Sequence, residues 1–234
     1  MINKTQGENM YSRTEMLLGE EGVEGLKRAH VIIFGVGGVG GYAAEALCRA
    51  GVGSLTLVDS DRVAPSNLNR QIIATVSTVG KLKVEAAKER MLDINPSVKI
   101  DTVAEFYSEE NKESFNLSEY DFVLDCIDSV RSKLCLIESA VLSGTPIISS
   151  MGAGNKLDPT RFTVTDISKT HTDPLAKVIR TELRKKGINH LTVVFSDEMP
   201  KSQGRDRVPG SVSFVPSVAG LIMAGEVAKR IAEI

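Results

Sequence analysis

Residues 32–53 read IIFGVGGVGGYAAEALCRAGVG, an apolar run that breaks into glycines and resumes as helix-forming sequence. The β-branched residues before the break suit a buried strand, and the alanines, leucine and glutamate after it suit a helix. Between the two, Gly35, Gly37 and Gly40 fit the pattern G-x-G-x-x-G, with Gly38 inside the same loop. Glycines there let the backbone approach a phosphate closely. The helix that follows offers its free N–H groups and positive dipole end to the same charge. On spacing alone the loop says nucleotide, and its default occupant is NAD.

Working outward, strand and helix signals alternate. "YSRTEMLLGEEGVEGLKRA" (11–29) reads as a helical entry with Leu17, Leu18, Val23 and Leu26 on its apolar side. After "HVIIFG" comes a helix from about Gly38 to Ala50, then a strand at 54–59, "SLTLVD". A helix follows over 80–96, stopped by Pro96, then the strand "VKIDTV" and a fourth strand over 120–128, "YDFVLDCID". "RSKLCLIESAVLSG" is a helix with a glycine stop at 144, and 146–152 a fifth strand. Apolar strands alternating with helices of this length predict a parallel sheet covered on both faces. After Gly152 the rhythm changes to a turn, an antiparallel strand, a helix opened by Asp-Pro, one more strand, a polar loop and a closing helix. The reading is a Rossmann-like, doubly wound α/β fold with an antiparallel C-terminal extension. It makes one domain over 1–234, with a nucleotide-binding core at 11–152 and a substrate-side extension at 153–234.

Bulk properties exclude several classes. A chain of 234 residues with formal net charge −2 is no general electrostatic magnet for nucleic acid. The charge is uneven, however: nine Lys/Arg stand against five Asp/Glu between Lys169 and Arg207. "MINKTQGENM" has no apolar signal-peptide core, and the apolar stretch Val218 to Ile231 is broken by Glu226, Lys229 and Arg230. A cytoplasmic location without a membrane anchor is expected. Cys48, Cys126 and Cys135 have neither zinc nor disulfide spacing and read as small buried hydrophobes, Cys126 most clearly, on a core strand.

Three features pull the loop away from NAD. Asp59 stands about 20 residues past the glycines, placed for ribose hydroxyls, with Asp61 just beyond it. Asn67, Arg70 and Gln71 follow in "DSDRVAPSNLNRQ", and Lys83 opens the next helix. Asp125 and Asp128 bracket the tip of the fourth strand. Ligands of such sheets sit at the carboxyl ends of the strands, so these groups converge on one crevice. An arginine, a lysine and a carboxylate beyond the ribose suit a triphosphate with Mg²⁺ better than a nicotinamide.

"GVGGVGGYAAEAL", "DSDRVAPSNLNRQ", "GKLKVEAAKER" and "DCIDS" resemble the adenylation core of the ubiquitin-activating-enzyme-like superfamily, over about Tyr11 to Gly152. The resemblance implies ATP as ligand, with Asp59 on the ribose and Asn67, Arg70 and Lys83 on the phosphates. It implies Asp128 on Mg²⁺ and Arg13 reaching the γ-phosphate of a partner subunit in a homodimer. The sequence lacks the paired CxxC zinc motifs of the sulfur-carrier activators, and it has no cysteine after residue 135. "CIDSVRSK", the stretch from Gly152 to Ile188 and "VVFSDEMP" instead resemble the tRNA threonylcarbamoyladenosine dehydratase branch. Departures are Asn155 in "GAGNK" and the missing hydrophobic tail of some members. That branch implies tRNA as partner, with ATP-driven cyclisation of the threonyl carboxylate at adenosine 37. The basic excess would then contact tRNA phosphates. A sulfur-relay protein is a further partner the superfamily implies, and a zinc-less adenylyltransferase of a sulfur carrier is the alternative activity.

On the residues alone, Asp128 has two open roles, metal ligand or cap of the helix beginning near Ser129. His30 reads as a strand-entry residue, and His171 as a loop histidine.

Overall fold

The computed structural model describes residues 9–201 and 209–234. The β-branched runs become strands β1 (His30–Phe34), β2 (Ser54–Val58), β3 (Lys99–Val103), β4 (Phe122–Asp125) and β5 (Ile147–Ser150). Between and before them lie α1 (Ser12–Arg28), α2 (Gly40–Ala50), α3 (Lys83–Ile94) and α4 (Val130–Ser143). The last third adds β6 (Phe162–Asp166), α5 (Pro174–Lys185), β7 (Thr192–Ser196) and α6 (Phe214–Ile231).

The seven strands form one sheet in the order β3-β2-β1-β4-β5-β7-β6. All neighbouring pairs are parallel except β6 with β7, as the turn after Gly152 led one to expect. From β1 the chain winds first to β2 and β3 and later returns to β4 on the other side. The point where winding reverses is therefore the gap between β1 and β4, and there a crevice opens at the carboxyl ends. Because β6 and β7 join the same sheet, the extension and the nucleotide-binding half share one continuous ladder.

Both faces are covered. On one, Val31, Ile33, Leu55 and Leu57 pack beneath α2 and α6, which meet through Ala43, Leu47, Ala219 and Met223. On the other, Ile32, Phe34 and Val123 pack beneath α4 and α5. Each fully buried Ile or Leu contributes about 1.5–3 kcal/mol. Strands buried on both faces explain why the sequence shows continuous apolar runs rather than alternation.

Four expectations need correction. α1 kinks at Gly19, whose φ of 73° lies in the left-handed region, so Leu17 points outward at 84 % exposure instead of joining the apolar side. α3 begins at Lys83, since Gly80 (φ 90°) and Lys81 form a turn before it. β4 stops at Asp125, so Cys126 and Asp128 belong to the turn beyond the strand. Asp125 itself is fully buried away from the crevice, ion-paired at 2.7 Å with Lys133. Among the described residues no helix is long and apolar enough to cross a membrane.

Candidate active site

The crevice between β1 and β4 encloses about 370 Å³. Gly35 follows the last residue of β1 with φ 87°, a conformation that side chains resist. Its carbonyl closes the loop so tightly that a Cβ on Gly40 would stand 1.8 Å from it. Gly35, Gly37 and Gly38 line the crevice; Gly40 does not, and its role is to let α2 start against the strand. Gly37, Gly38 and Val39, just ahead of α2, line the crevice, so the positive end of the helix dipole lies beside it, which favours an anion.

Asp59, just past β2, anchors the loop. Its Oδ2 accepts from the Val36 N–H at 2.8 Å and its Oδ1 from the Asp61 N–H at 2.9 Å. A carboxylate offers about four acceptor sites, so capacity remains for the hydroxyls of a ribose. Lys83, brought to the same corner by the first turn of α3, is 7 % exposed. Its Nζ donates to Asp61 Oδ2 at 2.7 Å and stands 3.6 Å from Asp59 Oδ2.

Arg70 lines the crevice beside Gly38, half-buried, donating to the Ser66 carbonyl at 2.9 Å and to Asn69 Oδ1 at 3.0 Å. These are exchangeable acceptors for a side chain that reaches phosphate bidentately. Asn67 lines the wall, its Oδ1 accepting from the Ala64 N–H at 3.0 Å. Gln71 is 6 % exposed, and its buried Oε1 has no partner among the described residues.

Asp128 is exposed at the opposite wall and makes no hydrogen bond or ion pair among the described residues. The N-cap of α4 is Ser129, without a side-chain capping bond, so Asp128 does not cap that helix. Its turn is held from below by Asp125, whose Oδ1 accepts from the Ile127 N–H at 3.1 Å. Asp125 Oδ2 also takes Ser149 Oγ at 2.6 Å. Lys133 adds Ser149 Oγ and the Ser150 carbonyl to its acceptors, so the buried pair is fully satisfied.

Cys126 also lines the crevice rather than sitting in a core strand. Burial, reinforced by the Asp125 carboxylate, pushes its thiol up to about 12. Cys48 and Cys135 are buried as expected. A thiol protonated at neutral pH is a poor nucleophile.

Sequence reasoning missed Phe106, Tyr107, Ile127 and Pro216, which also line the crevice, together with Glu105 and Ser60. Pro216 comes from the start of α6, far along the chain, with no local signal. It missed Lys133 too, although a lysine spaced with Leu136, Ile137 and Ala140 on the buried side of a helix signals a partner. Arg13 lies in α1, exposed and outside the crevice. His171 is exposed on its loop, its ring edge-on to Phe195. His30 bonds Thr56 Oγ1 at 2.9 Å at the start of β1.

The densest part of the basic excess, Arg184 to Lys186, is not at the crevice. α5 starts at the carboxyl edge of the sheet, where Asp173 meets Lys156 at 3.0 Å, and runs down to the amino edge. Arg184, Lys185 and Lys186 end it just before β7 begins at Thr192, and the latter two pair with Glu182 and Glu138. Residues 205–207 of that excess lie outside the described residues.

A crevice with a glycine loop, a ribose-height aspartate, two cations and a free carboxylate is built for a nucleoside polyphosphate. Comparison with known proteins agrees. The chain is 49 % identical to the tRNA threonylcarbamoyladenosine dehydratase of Bacillus subtilis, over 94 % of this chain and 93 % of that one. Its fold superposes on crystal structures of the Escherichia coli enzyme TcdA. For the complex with ATP the TM-score is 0.90 at 35 % identity, covering 96 % of this chain and 94 % of that one. For the complex with AMP it is 0.88 at 35 % identity, covering 94 % and 93 %. The profile of the ThiF family matches residues 11–234, nearly the whole length over which these motifs were read, and the chain belongs to that family.

Proposed function

We propose that this chain is an ATP-dependent dehydratase that cyclises threonylcarbamoyladenosine at position 37 of tRNA. The observation that carries the reading is the 49 % identity to a dehydratase over nearly the full length of both chains. The whole chain acts as one adenylating unit, the glycine loop and Asp59 holding ATP and residues 153–234 framing the substrate side.

In this scheme the threonyl carboxylate attacks the α-phosphorus of ATP. The new bond joins carboxylate oxygen to phosphorus, the bond to the β-phosphate oxygen breaks, and pyrophosphate leaves. The carbamoyl group of the same nucleoside then attacks the activated carbonyl carbon and AMP leaves, closing a five-membered ring with net loss of water. The AMP complex of E. coli TcdA supports cleavage at that phosphate. Intramolecular attack in good orientation is worth about 7–11 kcal/mol, so no protein nucleophile is needed. That fits thiols which burial keeps protonated.

Arg70, Lys83 and Asn67 hold the phosphates, and Gln71 closes the wall beside Gly37. Magnesium ions are bound by one or two carboxylates together with substrate phosphates, and the free Asp128 carboxylate fits that donor set. Bound there, the ion would neutralise charge on the phosphates.

Arg13 is proposed to act across a two-fold axis. α1 exposes Met16 and Leu17 at 82 % and 84 %, which suits a face covered by a second copy. Mixing Arg13→Ala with Lys83→Ala protein is then expected to restore activity through hybrid dimers holding one intact site. No rescue on mixing counts against a shared site.

The central test compares substrates. Transfer RNA carrying threonylcarbamoyladenosine should trigger ATP consumption, and carrier proteins ending in Gly-Gly should not. Its affinity should fall with salt, each phosphate contact adding about −0.7 to −0.9 to the log–log slope. Carrier-dependent exchange of pyrophosphate into ATP, without response to modified tRNA, would replace this reading by sulfur-carrier activation.

A further inference from the structure

The chain has seven Phe, four Tyr and no Trp. All of these rings lie among the described residues, and only Phe106 and Phe214 are exposed, at 57 % and 48 %. Phe106 lines the crevice beyond β3, on the ribose side marked by Asp59, and Phe214 stands two residues before Pro216, which lines the same crevice from α6. Phe214 opens α6 beside the phosphate end. Pro216, about 3 Å further along the helix axis, packs against Gly38 near Arg70.

One nucleotide has one base. With its ribose at Asp59 and its phosphates at Gly37, Gly38 and Arg70, the base of ATP falls on the Phe106 side. Phe214 is left with a flat apolar ring at the end where the attacking carboxylate must arrive.

The ring is also firmly mounted. Its neighbour Val215 is fully buried in the core. The stem before it is tied on both sides. Asn69 Nδ2 donates to the Ser211 carbonyl at 3.0 Å. The Gly210 N–H donates to Asn155 Oδ1 at 2.7 Å, and the Asn155 N–H donates back to the Gly210 carbonyl at 2.8 Å. Asn155 adopts a left-handed φ of 61° to make this exchange. A pre-positioned ring costs little ordering when a ligand stacks on it.

We infer that Phe214 is the stacking platform for the unpaired purine of the RNA substrate, aiming the carboxylate on its exocyclic nitrogen at the α-phosphate. Proteins read unpaired RNA bases by splaying them onto aromatic faces. The inference rests on the tRNA reading above and adds the residue that receives the base.

The test uses the full chain. Phe214→Ala is expected to raise KM for threonylcarbamoyl-tRNA about tenfold, leaving KM for ATP unchanged. Phe214→Tyr should restore it and Phe214→Leu should not, because leucine keeps the apolar area without the π face. Phe214→Trp introduces the sole tryptophan, whose fluorescence should be quenched by the modified tRNA and far less by ATP alone. Unchanged KM in Phe214→Ala, recovery by Leu, or a loss that follows a change in oligomeric mass would overturn the inference. Failure of the unaltered protein to respond to modified tRNA would instead overturn the substrate reading, and this inference with it.

Discussion

Lys83→Ala should lower the rate of tRNA-stimulated ATP turnover about a hundred- to a thousandfold, the cost of losing one well-placed donor to developing charge. The expectation follows from its position. Lys83 is nearly buried, its stem fixed in the first turn of α3, and its ammonium is aimed at the corner shared by Asp59 and Asp61. Asp61 is 67 % exposed, so water can resolvate it once the lysine is gone, and thermal stability should change little. The loss should fall on kcat more than on KM for ATP, because the interaction strengthens as phosphate charge moves. Arg70→Ala is expected to behave alike, and Arg70→Lys not to rescue it, since an ammonium lacks the planar fork. A Lys83→Ala protein with near-unaltered kcat would remove this lysine from the mechanism.

The largest effect on folding is expected two layers beneath the site. Lys133→Met would leave the Asp125 carboxylate charged, dry and without its ammonium, where both side chains are now fully buried. Breaking such a pair from one side costs about 3–5 kcal/mol, on the order of 10 °C in melting temperature for a chain of this size. The double variant Lys133→Met with Asp125→Asn should regain much of the loss. It removes the stranded charge: the amide oxygen still accepts from the Ile127 N–H, and the amide nitrogen, in the place of Oδ2, donates to Ser149 Oγ once that hydroxyl rotates. Differential scanning calorimetry of the three proteins decides it. A single variant no less stable than Lys27→Met, which cuts an exposed pair with Glu24, would show that the pair contributes nothing. Because Asp125 also holds the turn that presents Asp128, the single variant should lose ATP turnover before it loses its fold.

The crevice residues legible in the sequence are those carried by short segments with a fixed local geometry. Gly35, Gly37 and Gly38 reach the crevice because a strand, a glycine turn and a helix leave few alternatives. Asp59 reaches it because it directly follows β2 and Lys83 because it opens α3 there, while Arg70 arrives on the connection between the two. Where local rules compete, the reading failed. Asp125 and Asp128 looked like a matched pair at a strand tip, yet one residue of β4 was decisive. Ending the strand at Asp125 turns its carboxylate inward to Lys133 and leaves Asp128 outside. Cys126 shifted from core to crevice for the same reason. Leu17 failed through Gly19, whose left-handed conformation rotates the first turns of α1 away from the apolar side that a straight helix would keep.

The sequence by itself determined the order of elements, the parallel sheet, the glycine loop and which charged groups line the crevice beside it. Those depend on periodicity and on residues close in the chain, where backbone sterics and helix dipoles act. Tertiary structure alone decided which residues from distant segments share a wall. Pro216 stands on Gly38 because α6 packs across α2, and Phe214 faces solvent at the phosphate end because Val215 is drawn into the core beside it. It also decided that Arg184 and Lys185 lie at the far edge of the sheet, since Asp173 holds the start of α5 to Lys156 at the carboxyl edge and the helix must then run down to where β7 begins. Charge counts along a chain carry no such direction. Packing supplies it, because each helix can bury its apolar stripe only in the orientation that the sheet beneath it allows.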